Sequence, residues 1–256
     1  MNKFQFKNLA EEEAVELDMF GEIGESFFGE GISFENFYNE LKQYDGKKLV
    51  INLDSVGGNV SDGFAIANAI KQRNGETVCR VYSMSASIAT QIMLACDRVE
   101  CFRNSLIMIH LCSGYAYGNK NDFKKQIEIM DKIDNLLADA YVERTGKDKQ
   151  EVLDLMAAET WYSGSEALEI GLVDNIIDME MTAKANISVA DLKDFKNVPK
   201  ELINKEEEER KAKEQAEIKA KAEKEEAERK AEEEAKRKEI LDRMNKEITL
   251  RLLDLD

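Results

Sequence analysis

The sequence predicts an α/β domain followed by a long, charged helical segment. Apolar, strand-like runs alternate with amphipathic stretches between about residues 17 and 180, and a Gly57-Gly58 turn joins one such run directly to a helix. After about residue 180 glycines and aromatic residues nearly vanish, apart from Phe195, and Glu, Lys and Ala take over.

Taken in order, Phe20-Gly21-Glu22-Ile23-Gly24 predicts a short strand and turn. Phe34, Phe37, Tyr38 and Leu41 recur at spacings of three and four, which predicts a helix over 33–44, with Ser33 as N-cap and Glu35 in the first turn. Residues 48–53, KLVINL, form a buried-type strand, and a helix from about Ser61 to Arg73 offers Phe64, Ile66, Ala67 and Ile70 for packing. Further strands are expected at 77–82, 98–102, 105–111 and near 172–177, and a small-residue helix at 86–96. A longer helix over 121–144 carries the stripe Phe123, Ile127, Met130, Ile133, Leu137, Tyr141, and Gly146 closes it. Ser163 and Glu166 have capping-box spacing for a short helix ending at Gly171.

These readings divide the chain into an N-terminal segment (1–16), an α/β domain (17–180), a linker (181–204) and a helical extension (205–256). Within 205–238, 13 Glu stand against 12 Lys and Arg, so this dense charge is nearly neutral. Alanines at 212, 216, 220 and at 227, 231, 235 draw a narrow seam that strengthens through Leu241, Met244, Ile248 and Leu252. Such a seam suits either a solvated single helix held by Glu-Lys pairs or a coiled coil that docks a partner.

The net charge of −16 therefore lies mostly outside the extension, and an acidic body disfavours nucleic acid and anionic membrane as partners. No apolar run reaches the roughly 18 residues of a membrane span, and the N-terminus lacks a signal-peptide core, so a cytoplasmic protein is expected. Cys79, Cys96, Cys101 and Cys112 show no C-x-x-C spacing and the chain has one histidine, so neither a metal nor another cofactor is expected and the thiols read as reduced.

That histidine, His110, ends an apolar run about two dozen residues after Ser83-Met84-Ser85-Ala86-Ser87-Ile88-Ala89. A serine hydroxyl needs a neighbouring base to become a nucleophile, and imidazole is the side chain matched to that task near neutral pH. The plain alternative is a core histidine satisfied by backbone groups. Composition does not choose among Ser83, Ser85 and Ser87, although Ser87 at a helix start would place the Ile88 amide, with that of Gly58, as an oxyanion hole. Cys112, two residues from His110, is a further conceivable nucleophile, in poor geometry for attack.

Motif order decides among these. The segments SVGGNVSDGFAIANAI, SMSASIATQIMLA, NSLIMIHL and ETWYSGSEALEIGLVDNII resemble, in order and spacing, the Clp protease proteolytic subunit family. FGEIG, ISFENFYNEL and ETWYSGSEAL are more closely similar to the Clp-like prohead maturation proteases of tailed bacteriophages; the resemblance spans residues 17–178. It implies a crotonase-like spiral of ββα units and a Ser-His-acid peptidase with Ser87 as nucleophile, His110 as general base and Gly58 and Ile88 as oxyanion amides. Glu159 falls where Clp subunits usually carry aspartate; Asp154 and Asp174 are the nearby substitutes. Val56 replaces the family's proline, Ser83 replaces a glycine, and residues 113–118, with Gly114 and Tyr115, take the place of a substrate-pairing strand, Gly57 joining them as a substrate contact. Three functions follow as expectations. One is an ATP-independent endopeptidase that cleaves phage capsid and scaffold proteins, and itself near 180–204. The second is a Clp-type ring working with an AAA+ unfoldase, and the third an inactive scaffold protein. A homo-oligomer is expected in each peptidase reading.

Overall fold

The computed structural model describes residues 4–9, 14–24, 32–178, 192 and 195–199. All of them lie in the first of two compact units, Met1–Pro199; the second, Lys200–Asp256, contains the expected extension, which falls outside the described residues together with most of the expected linker.

Among the described residues an eight-stranded mixed sheet forms the centre. Strand β1 (Phe4–Leu9) runs antiparallel to β2 (Ala14–Phe20), so the sheet already contains residues before position 17. From β2 the order continues in parallel through β3 (Lys48–Ser55), β4 (Thr77–Ala86), β5 (Arg98–Phe102) and β8 (Asn175–Ile177). Strand β6 (Leu106–Ile109) lies parallel to the end of β4 and antiparallel to β7 (Thr160–Ser163). Every residue of β3 after Lys48 is buried, as a parallel strand covered on both faces requires. Each fully buried Leu or Ile of this core, Leu49, Ile51 and Leu53 among them, contributes about 1.5–3 kcal/mol of transfer free energy.

Six α-helices accompany the sheet in the described residues: α1 (Phe34–Leu41), α2 (Val60–Gln72), α3 (Ala89–Leu94), α4 (Lys120–Thr145), α5 (Lys149–Ala157) and α6 (Gly164–Glu169). They pack in sequence, α1 on α2, α2 on α3, α3 on α4 and α4 on α5. The Thr90 hydroxyl meets that of buried Tyr141, tying α3 to α4. The expected Ser163–Glu166 capping box is present, and Gly146 closes α4 at φ 69°. Ser33 occupies the N-cap of α1 in extended conformation, but its side chain makes no capping bond; at α2 the cap is Asn59, which accepts from the Asp62 amide at 3.1 Å.

The largest departure from expectation concerns residues 83–86. They extend β4 past its expected end at residue 82 and through Ala86, where a helix is expected to begin, because β4 forks: Val78–Val81 pair with β5, and Met84–Ala86 pair with β6. Between the two halves the Ser83 hydroxyl donates to Asp54 Oδ1 at 2.6 Å, and the Met84 amide donates to the same oxygen at 3.1 Å. The β3–β4 register shifts between Leu53 and Ser55 at this point. A glycine at position 83 has no hydroxyl for this contact, so the substitution away from the family's glycine carries a structural role of its own. The fork delays α3 until Ala89 and leaves Ser87 on the bend between strand and helix.

Candidate active site

Ser87 has φ 56°, a left-handed conformation that costs a side-chain-bearing residue about 1–2 kcal/mol. The bend is over-determined by its neighbours. The Ser87 amide donates to Met108 on β6 at 3.0 Å, and the Ser87 carbonyl accepts from the Thr90 amide at 3.0 Å and the Thr90 hydroxyl at 2.6 Å. The hydroxyl of Ser87 is thereby presented to His110, one residue past β6, at 2.7 Å from Nε2.

The other two serines are engaged elsewhere. Ser83 holds Asp54, and Ser85 is fully buried with its hydroxyl unpartnered among the described residues. Cys112 is displaced from the nucleophile role as well. Its thiol faces the Met130 carbonyl at 3.6 Å, and burial, reinforced by the Asp134 carboxylate, pushes it up to about 12, away from thiolate.

Two glycines close the opposite wall. Gly57 has φ 95°, and a methyl group there would stand 2.7 Å from Ser87 Cβ and 3.2 Å from the Ile88 amide nitrogen. At Gly58, with φ 142°, it would strike the Ile23 carbonyl at 2.2 Å. This β3–α2 turn can therefore lie flush against the serine only without side chains. Among the described residues neither the Gly58 nor the Ile88 amide donates a hydrogen bond, whereas the flanking Gly57 and Asn59 amides donate to Ser55 Oγ and to the Ile23 carbonyl. Both amides are thus uncommitted donors, one on the glycine turn and one on the bend it meets. The Ile88 side chain fills the space that Gly63 leaves on α2, where an added methyl would be 2.2 Å from its Cγ1.

His110 is half-buried. Desolvation lowers its pKa below the ordinary 6.5, against the opposing pull of Glu159 and then Asp134, so the imidazole is neutral at pH 7 and free to accept a proton. Asp134 on α4 is buried and accepts from the Cys112 amide at 2.6 Å. Its signature in the sequence is a carboxylate set in the apolar stripe between Met130, Leu137 and Tyr141.

Glu159 is also buried and left-handed, at φ 52°. Its carboxylate acts on His110 electrostatically, but among the described residues no hydrogen bond joins them; the oxygens instead accept from the Lys196 amide at 2.9 Å and the Asn197 amide at 2.6 Å. The substitutes are committed elsewhere: Asp154 is exposed and accepts from Gln150, while Asp174 accepts from the Val99 amide at 2.7 Å and pairs with Arg144 at 2.7 Å. Phe195 stands edge-on to His110, with ring centroids 5.6 Å apart, and to Trp161 at 5.8 Å. Residues 113–118 are exposed and form no strand in the single chain; Tyr115 projects fully into solvent, and Gly114 has open space about it.

Comparison with known proteins places this geometry in context. The profile described as Clp protease matches residues 38–180. The chain is 34% identical over 146 residues to the ATP-dependent Clp protease proteolytic subunit 1 of Protochlamydia amoebophila, covering 56% of this chain and 70% of that protein. To the subunit of the same name in Chlamydia muridarum it is 30% identical over 145 residues, covering 55% and 75%. Among solved structures, a ClpP1 mutant from Listeria monocytogenes superposes with a TM-score of 0.56 over 64% of this chain and 91% of that one; at 21% identity this is a likeness of fold.

Proposed function

Because the chain belongs to the Clp protease family, we propose that it is a serine endopeptidase of the Clp type, with Ser87 as nucleophile and His110 as general base. The observation that carries the proposal is the 2.7 Å contact between a serine on a left-handed bend and the chain's single histidine, held neutral by burial. In this reading Nε2 takes the hydroxyl proton as Oγ attacks the scissile carbonyl, and the amides of Gly58 and Ile88 receive the developing oxyanion. His110 then returns the proton to the leaving amine, and water repeats the cycle on the acyl-enzyme. Glu159 is the positioning acid: its charge already favours the imidazolium, and a turn toward Nδ1 would let it accept that hydrogen bond as well.

The matched relatives are named as ATP-dependent proteolytic subunits. They support a homo-oligomeric subunit fed by a partner ATPase over the alternative of prohead maturation, which draws no support from them. One observation keeps maturation as the second reading: residues 181–256 lie beyond the family match, as an appended scaffold-like segment would. The test is substrate dependence. A Clp-type subunit cleaves short peptides alone and folded proteins only with an AAA+ unfoldase and ATP. ATP-independent cleavage of assembled capsid proteins, with shortening of the chain itself between 180 and 204, would establish maturation instead.

A further inference from the structure

Beyond Asp178, residues 195–197 of the described chain lie on the candidate site, and two of the groups they touch, His110 and Glu159, are ones the proposed chemistry needs. Phe195 abuts the His110 ring edge-on and is braced by Trp161. The Lys196 and Asn197 amides donate one to each oxygen of Glu159, and Asn197 Nδ2 donates to the Ala158 carbonyl at 2.9 Å, anchoring the segment beside the same turn. A carboxylate offers about four acceptor positions, so these two amide bonds, with a third from Trp161 Nε1 at 3.5 Å, do not exhaust Glu159 but fix the direction in which it points. Among the described residues, Glu159 correspondingly makes no hydrogen bond to His110.

We propose that residues 195–197 form a cis-acting lock, which withholds Glu159 from the imidazole and covers its outer edge, so that the intact chain is a restrained peptidase. The proposal rests on the peptidase reading above. Displacement of the segment, or a cut between the domain and residue 195, removes both amide donors, leaves the carboxylate only the long 3.5 Å bond from Trp161 Nε1, and lets Glu159 turn to His110 Nδ1. The lock needs no large movement of the domain, since Ser87 and His110 are already in contact. Because it leads directly into residues 200–256, an event on that part of the chain can be transmitted to Glu159 through the backbone.

A plain strap would stabilise the domain and leave the chemistry alone, and two readouts separate the alternatives. The first is the rate at which a fluorophosphonate labels Ser87 in the full-length chain. The second is the NMR titration of His110, whose signal is unambiguous in a chain with one histidine. The charged groups acting on the imidazole are Glu159 and, from α4, Asp134; Lys196 belongs to the segment itself and its side chain is exposed. The variants are Phe195→Ala, which removes the ring, and Asn197→Pro, which removes an amide donor outside any helix or strand. Combined, they should raise the labelling rate on the order of 10²-fold, part of the roughly 10⁴-fold that an acid orienting the imidazole is worth in a serine triad. They should also move the imidazole midpoint upward; Phe195→Ala contributes to that shift by rehydrating the ring whatever stands at 159, whereas the gain in labelling and the share of the shift due to Asn197→Pro should vanish in a Glu159→Gln background. Labelling of the parent with unchanged or slower labelling and an unchanged midpoint in the variants overturns the lock alone. Absence of labelling in folded parent and variants alike removes the peptidase reading, and the lock with it.

Discussion

Replacing Gly57 with alanine tests whether the β3–α2 turn sets the position of the nucleophile. The substitution meets two obstacles. At φ 95° any side chain is strained by about 1–2 kcal/mol, and the new methyl stands 2.7 Å from Ser87 Cβ and 2.8 Å from the Ala86 carbonyl, neither of which is a flexible side-chain end. Overpacking of this kind costs about 1–3 kcal/mol, so the total is roughly 2–5 kcal/mol, or a fall in Tm of roughly 4–20 °C for a domain of this size. Relief requires the turn and the Ser87 bend to separate by several tenths of an ångström, and misplacement of up to 1 Å slows chemistry by as much as about 10²-fold. Gly46→Ala is the control. Gly46 is left-handed at φ 82° but a methyl there meets nothing within 4 Å, so it should lose about 1–2 kcal/mol and label at the parental rate. The assay is thermal unfolding followed by Trp161 fluorescence, alongside fluorophosphonate labelling. Gly57→Ala that unfolds no earlier than Gly46→Ala and labels as fast as the parent would refute the reasoning.

A second expectation concerns Gly63, whose added methyl would collide with Ile88 Cγ1 at 2.2 Å. Gly63→Ala should slow labelling by shifting the Ile88 amide, and adding Ile88→Ala should restore it; no coupling in that double-mutant cycle would count against the contact. The acid limb of the labelling rate should lie below pH 6.5, because His110 titrates low. The same shift has a sign for stability. The unfolded chain takes up the proton first as pH falls, so His110's contribution is present above about 6.5 and is lost as pH falls toward its folded value. Asp134→Asn removes a carboxylate that favours the imidazolium and should move the limb lower still; an upward movement, read by NMR titration, would show that Asp134 acts otherwise.

Much of this arrangement was legible in the sequence. Strand β3, with its run of apolar residues, and helix α4, with its stripe and Gly146, declare themselves through local periodicity. Ser87 and His110 emerged from motif order, and the structure brings them together. Less legible was anything fixed by long-range pairing. Ala86 reads locally as a helix start, yet Met84–Ala86 pair with β6; β1 and most of β2 carry charged residues along mixed patterns and are secured by each other and by β3. Glu159 was found by its place in a motif, but motif position says nothing of which donors reach a carboxylate, and its amide partners come from 37 and 38 residues away. Phe195 stood out as the lone aromatic in a charged tract. Its role as a cover for His110 depends on a chain return that no local pattern encodes.

The central claim is that Ser87 is a nucleophile activated by His110. It is tested most directly by reacting the full-length chain with a fluorophosphonate and locating the adduct by peptide mass spectrometry. The account predicts one adduct, on Ser87, abolished in Ser87→Ala and slowed by at least about 10³-fold in His110→Ala, variants that keep the parent's fold by circular dichroism. A folded parent that takes up no probe, or an adduct that maps to Ser83, Ser85 or a residue outside the β4–α3 bend, would contradict it.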